Sequence, residues 1–217
     1  MNEILNKIDF VPLELITYLK SLDNLNGLYQ LKVRHYTLEQ HTLLVMNEFE
    51  KHYSKIDIVI NKDLFRLMLA LHDIGKPRAY LEGNINNQYG YTVEIINRLR
   101  SLLPFSKTEI DLCIALVSTD TLGMYLRGQL SIENAKHQII DLTSKTNFNN
   151  IFFFNFMVIY YQCDIAGYTT DAGGLAYLEY LFEYKDNKKV FDIVNRRLKF
   201  SPIFETKFVE LEKFLKL

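Results

Sequence analysis

The chain has 217 residues, 48% of them apolar and 24% charged, which is enough to bury a substantial core and too apolar for a disordered chain. A formal net charge of −1 excludes a chain-wide electrostatic footprint for a nucleic-acid backbone and leaves only a local basic groove open. The two cysteines, Cys113 and Cys163, stand far apart in apolar runs without metal-ligand spacing, and read as reduced core thiols of a cytoplasmic protein, the alternative being a disulfide between them.

The opening MNEILNKIDF lacks the basic start, apolar stretch and small-residue cleavage site of a secretory leader. A helix is predicted over Pro12–Ser21. Thr37-Leu38-Glu39-Gln40 has the form of a capping box, opening a helix to about Tyr53 with Leu38, His41, Val45 and Phe49 on one face. Ile56–Ile60 shows the one period-two alternation, short enough for a strand or a mere connector. Lys62–Ile74 reads as a helix that runs into LALHDIGKP, Leu69 to Pro77, with Gly75 and Pro77 as its stop. The polar EGNINNQYG, Glu82 to Gly90, reads as a surface loop.

Further helices are predicted over Tyr91–Leu103, from the Ser106-Lys107-Thr108-Glu109 capping box to about Val117, and over Ile132–Lys145 and Asn149–Gly167. The last of these contains Ile151–Cys163, the most apolar run of the chain. It is thirteen residues long and carries Asn155 and Gln162, short of the roughly 20 that cross a bilayer, so it reads as a core helix. Gly174–Tyr184 and Val190–Lys199 are also read as helices, and Ser201-Pro202 as the start of the last one. Together these predict a single all-α domain, with a core over about residues 34–168 and the helices of 174–217 packed on it. The basic runs KDNKK and RRLK read as solvated helix faces. Tyr177, Tyr180, Phe182 and Tyr184 read as core, the alternative being an aromatic wall that stacks a nucleobase.

Five histidines are present. His52 and His137 read as structural or surface residues, and His35 has only its place beside Arg34 to suggest a role. His72 differs because Asp73 follows it. Adjacent helical residues point about 100° apart, so the two meet on one ion only near a helix end. His41 sits on an apolar helix face. Asp164 follows the most apolar helix, where an unpaired buried carboxylate would cost several kcal/mol, so it must be protonated, ion-paired or metal-bound. Each residue has a structural explanation of its own. The set His41, His72, Asp73 and Asp164 has a joint one, the shell of one divalent transition metal: Mn, Fe, Co, Ni or Zn.

The order His41, His72-Asp73, Asp164, with the wording LALHDIGKP, YTLEQHTLLVMNEF and YYQCDIAGY, resembles the HD superfamily of metal-dependent phosphohydrolases. The wording LALHDIGKP is close to the form found in the HD domains of bacterial tRNA nucleotidyltransferases and related stand-alone proteins. The resemblance covers about Arg34 to Tyr168 and implies an HD-type helical bundle that hydrolyses a phosphomonoester or phosphodiester, the substrate being a nucleotide or an RNA end. It implies catalytic roles for Asp73 and for Lys76, one turn after His72, with Lys76 neutralising a phosphate; the alternative for Lys76 is a cation at a helix C-terminus. Arg34 and Arg127 are its candidate substrate contacts, each with an ordinary surface arginine as the alternative.

Two-metal members of the superfamily add two histidines between the HD pair and the last Asp. Gln88 stands at the first of these places and Thr119 or Asp120 at the second, so the resemblance implies the one-metal form and argues against the di-iron oxygenase branch. A second ion near Asp73 and Asp120 stays open. The 40 residues ahead of His41 are too few for a nucleotidyltransferase domain, so the expectation is that this chain does not add nucleotides. The competing expectation is a catalytically silent module of the same fold that binds a nucleotide or a protein.

Overall fold

The computed structural model describes residues 1–33, 35–56, 61–168 and 180–216. Arg34, Tyr177, all but Ile56 of the possible strand over Ile56–Ile60, and most of the expected helix over Gly174–Tyr184 lie outside these residues. The architecture is all-α, with strands only as antiparallel pairs of two residues each among the described residues. The chain divides into two compact units, Met1–Asn47 with Ile58–Thr119, and Glu48–Asp57 with Asp120–Leu217.

The first unit contains α1 (Asn2–Leu5), α2 (Pro12–Lys20), α3 (Leu25–Gln30), the pair β1 (Lys32–Val33) and β2 (Tyr36–Thr37), and the first ten residues of α4 (Leu38–His52). It continues with α5 (Lys62–Leu71), α6 (Lys76–Leu81), α7 (Gln88–Leu99) and α8 (Lys107–Val117). Local chemistry sets several of the helix starts. Thr37 Oγ1 accepts from the Gln40 amide at 3.2 Å while Gln40 Oε1 accepts from the Thr37 amide at 2.8 Å. Ser106 and Glu109 form the same reciprocal box at the start of α8. Asn61 Oδ1 accepts from the Asp63 amide at 2.9 Å and so opens α5.

From Leu64 to Leu71, α5 is buried at every residue. It packs against α2 and α8, and α7 packs against α6 and α8. Even Arg66 is buried, because its guanidinium donates to the Leu5 carbonyl at 2.8 Å and lies 4.0 Å above the Phe10 ring. The Tyr29 hydroxyl donates to the Ala70 carbonyl at 2.7 Å, fixing α3 beside the last turn of α5.

The second unit takes the end of α4, then α9 (Thr121–Leu126), α10 (Ile132–Thr143) and α11 (Asn150–Ala166). Two hairpins follow, β3 (Tyr184–Lys185) with β4 (Lys188–Lys189) and β5 (Phe191–Asp192) with β6 (Arg197–Leu198), and then α12 (Pro202–Lys216). Helices α9, α10, α11 and α12 pack on one another. Ser131 and Asn149 cap α10 and α11. Cys113 and Cys163 are free, buried thiols. Among the described residues no helix is long and apolar enough to cross a membrane.

The hairpins overturn the helix expected over Val190–Lys199. The Asp192 carboxylate accepts from the amides of Val194 at 2.9 Å and Asn195 at 3.0 Å, and Arg196 takes a left-handed φ of 53°. That side-chain turn competes with the helix and reverses the chain. The run KDNKK is likewise a hairpin and not a helix face, with Asp186 and Asn187 both left-handed at φ 49° and 58°, as a tight two-residue turn requires. Arg197, expected on a solvated face, is buried: its guanidinium is paired with Glu205 and lies 4.2 Å above the Phe208 ring. Phe182 is core as expected, whereas Tyr180 is exposed and Tyr184 is half-buried in β3.

Candidate metal centre

Helix α5 stops at Leu71 and His72 is its C-cap, so His72 and Asp73 leave the helix together. The Ile74 amide donates to the Leu71 carbonyl at 3.1 Å and the Lys76 amide to the Asp73 carbonyl at 2.9 Å, closing a tight turn. Gly75 then caps α6, with Lys76 and Pro77 as its first two residues. Pro77 therefore starts a helix and does not end one, since its fixed φ and missing N–H suit a first turn. Lys76 sits at an N-terminus, which removes the helix-dipole explanation of its charge.

Gly75 is required for space. Its φ of −85° and ψ of −15° suit any residue, but a Cβ there would run into the Thr92 backbone nitrogen and lie 2.6 Å from the Tyr91 carbonyl carbon. The Gly75 amide also donates to Thr92 Oγ1 at 3.1 Å. Backbone contact with α7 thus fixes the turn that carries His72 and Asp73.

His41 and His72 are 2% and 1% exposed and Asp73 is 8% exposed. His41 Nε2 lies 3.6 Å and His72 Nε2 3.7 Å from Asp73 Oδ2, and one ligand atom of each of the three lies within 4.8 Å of the others. Two ligands about 2.1 Å from a tetrahedral ion sit about 3.4 Å apart, so this donor set fits a divalent transition metal.

The rings are also oriented for that purpose. His72 Nδ1 lies 2.6 Å from the Leu69 carbonyl, which can only accept, so Nδ1 carries the proton and Nε2 keeps its lone pair. Tyr36 stacks on His41 with ring centroids 5.3 Å apart and 7° between planes. Lys76 Nζ lies 2.7 Å from Asp73 Oδ2. Sequence reasoning missed Leu69, Tyr36 and the spatial role of Gly75. Of these only Leu69 left a signal, the i−3 carbonyl that a C-cap histidine can reach.

In the second unit, Asp164 occupies the last turn of α11 and is half-buried. Its charge acts on Asp120. Burial, helped by Asp164, holds the Asp120 carboxyl above its ordinary value, although Arg127 and the Gly123 amide pull the other way. Asp120 Oδ2 pairs with Arg127 at 2.6 Å and its Oδ1 accepts from the Gly123 amide at 3.2 Å as the cap of α9. Arg127, expected at a phosphate, is exposed and also donates to Gln129 at 3.3 Å.

Arg34 lies outside the described residues. Gln88 is the first residue of α7 and its carbonyl accepts from the Thr92 hydroxyl at 3.0 Å. His35 and His137 are exposed, and His52 Nε2 lies 3.4 Å from Glu48. Compared with protein-family models, with characterised proteins and with solved structures, the chain has no match.

Proposed function

We propose that the chain is a metal-dependent phosphohydrolase, with His41, His72, Asp73 and, as fourth ligand, Asp164 holding one divalent transition ion. The observation that carries this reading is the buried His41–His72–Asp73 group, with His72 Nε2 turned from the Leu69 carbonyl toward Asp73 and Lys76 at its edge. The resemblance to the HD superfamily supports the reaction class, and a phosphomonoester or phosphodiester of a nucleotide or RNA end as substrate. We place the protein in the cytoplasm, with both thiols reduced.

A divalent ion held there would supply a water of lowered pKa and polarise the phosphoryl group. The protein's own residues do the remainder. The Leu69 carbonyl holds the His72 ring in its ligand tautomer, and Tyr36 restrains His41. Asp73 would help hold the ion and serve as the base for the attacking water. Lys76 turns from Asp73 to a non-bridging phosphoryl oxygen, neutralising charge that grows in the transition state.

The test is metal content and turnover together. Protein loaded with Mn, Co, Ni or Zn is assayed on nucleotide and RNA-end phosphoesters, beside His72→Ala, Asp164→Ala and Lys76→Met. His72→Ala loses bound metal and activity, and Asp164→Ala binds metal more weakly, through the three remaining ligands, and loses activity. Lys76→Met keeps the metal and loses about 10²-fold in kcat/KM. Absence of turnover with every metal, with metal content unchanged by His72→Ala, sinks the proposal.

A silent binding module is favoured by two observations, the commitment of Asp120 to Arg127 and Gly123 and Gln88 where two-metal members of the superfamily carry histidine. Metal bound more weakly in Asp164→Ala, with no hydrolysis of any substrate, would select it.

A further inference from the structure

Helix α11 is buried on most sides: Phe153, Phe154, Phe156, Met157, Val158, Ile159, Tyr161 and Cys163 ring most of its axis, while Phe152 and Asn155 near its start are exposed. The hydrophobic effect is non-directional, so a helix apolar on most faces has its rotational setting only loosely fixed by burial. A directional contact is needed to set where Asp164 points.

Gln162 is fully buried in the same helix. Its Nε2 donates to the Leu198 carbonyl at 2.6 Å and its Oε1 accepts from the Leu198 amide at 3.0 Å, as a neighbouring strand would. The Tyr53 hydroxyl donates to the same Oε1 at 2.5 Å and accepts from the Leu198 amide at 3.1 Å. The side-chain amide, the phenol and the main chain of β6 thus form a closed network with each polar atom partnered. A buried polar network of this kind has one low-energy geometry, and every rotated setting leaves unpaired groups in a dry core.

We infer that Gln162 sets the rotation of α11 about its axis and, two residues on, the direction of the Asp164 carboxylate. The spacing of two residues turns the helix about 200°, so Gln162 gripping β6 on one side aims Asp164 at nearly the opposite side. Gln162 is a positioning residue, not a ligand. This inference rests on the metal-centre reading for its consequence, though not for the helix setting itself.

The experiment compares wild type with Gln162→Met, which keeps the side-chain volume and removes both polar atoms. Amide ¹H–¹⁵N spectra of the metal-free full chain report the helix setting, and Mn²⁺ or Co²⁺ titrations report the site. In Gln162→Met the α11 signals double or broaden while those of α2 and α5 stay in place, and metal affinity falls about 10–100-fold. The affinity loss disappears in an Asp164→Ala background, where no ligand on α11 remains to be misdirected.

Single α11 signals at wild-type positions, or an equal affinity loss with and without Asp164, overturn the inference. If wild type binds no metal, the metal-centre reading fails and the α11 spectra still decide the role of Gln162. If Gln162→Met does not fold, Tyr53→Phe replaces it. That variant keeps the Gln162–Leu198 pair, so the spectral change and the affinity loss are both smaller, and their absence refutes the network.

Discussion

Gly75→Ala is the smallest change that tests how the His72–Asp73 turn is held. The backbone angles at Gly75 suit alanine, so the substitution by itself would stabilise the chain by about 0.4–1 kcal/mol through the unfolded state. The added methyl, however, meets the Thr92 nitrogen and lies 2.6 Å from the Tyr91 carbonyl carbon and 2.7 Å from the Gln88 carbonyl oxygen, all of them backbone. Backbone cannot swing aside as a side chain can, so α7 must retreat by roughly 1 Å from a close-packed interior. Overpacking of this kind costs about 1–3 kcal/mol.

The retreat also lengthens the 3.1 Å bond from the Gly75 amide to Thr92, worth about 1 kcal/mol. The terms sum to a net loss of about 1–3.6 kcal/mol, a fall in Tm of about 2–14 °C for a chain of this size. Gly27→Ala is the control. Gly27 lies inside α3 with nothing within 4 Å of its added Cβ, so that variant gains about 0.5–1 kcal/mol. Thermal unfolding followed by circular dichroism reads both. A Gly75→Ala protein as stable as wild type would refute the reasoning, since no flexible group is available to absorb the clash.

Three further outcomes follow from the same kind of argument. Arg197→Leu strands Glu205 and empties the space above Phe208, and denaturant titration should show a loss of about 2–4 kcal/mol. Burial alone would raise the Glu48 carboxyl, but its bond to His52 and the Lys189 ammonium 3.0 Å away hold it below the ordinary carboxylate value. A group with a depressed folded-state pKa stabilises above its unfolded value and loses that contribution as pH falls through the folded one. Glu48→Gln is therefore less stable than wild type at pH 7, and the difference shrinks below about pH 4.5, as melting curves from pH 7 to 3 will show. Burial pushes the thiols of Cys113 and Cys163 well up, so native protein at pH 8 stays unreactive to a disulfide reagent and two thiols appear in denaturant.

What sequence alone made legible was local. Thr37–Gln40, Ser106–Glu109 and Asn149 close hydrogen bonds over three residues, so their letters suffice to place helix starts. The His72–Asp73 pair stood out for the same reason, because a charged and a titratable group interrupt a run that α5 buries completely.

Non-local contacts decided the rest. Gly75 and Pro77 read as a stop because both disfavour helix interiors, and only the approach of α7 shows that Gly75 makes room and Pro77 begins α6. Val190–Lys199 read as a helix because a short apolar run fits either period. The pairing Phe191 with Leu198 and the hold of Gln162 on Leu198, 36 residues away, settle it as a hairpin. The sequence by itself determined which residues could bind a metal, since that is a matter of donor atoms. Their orientation belongs to the tertiary structure, because a ring or a carboxylate is aimed by partners distant in the chain.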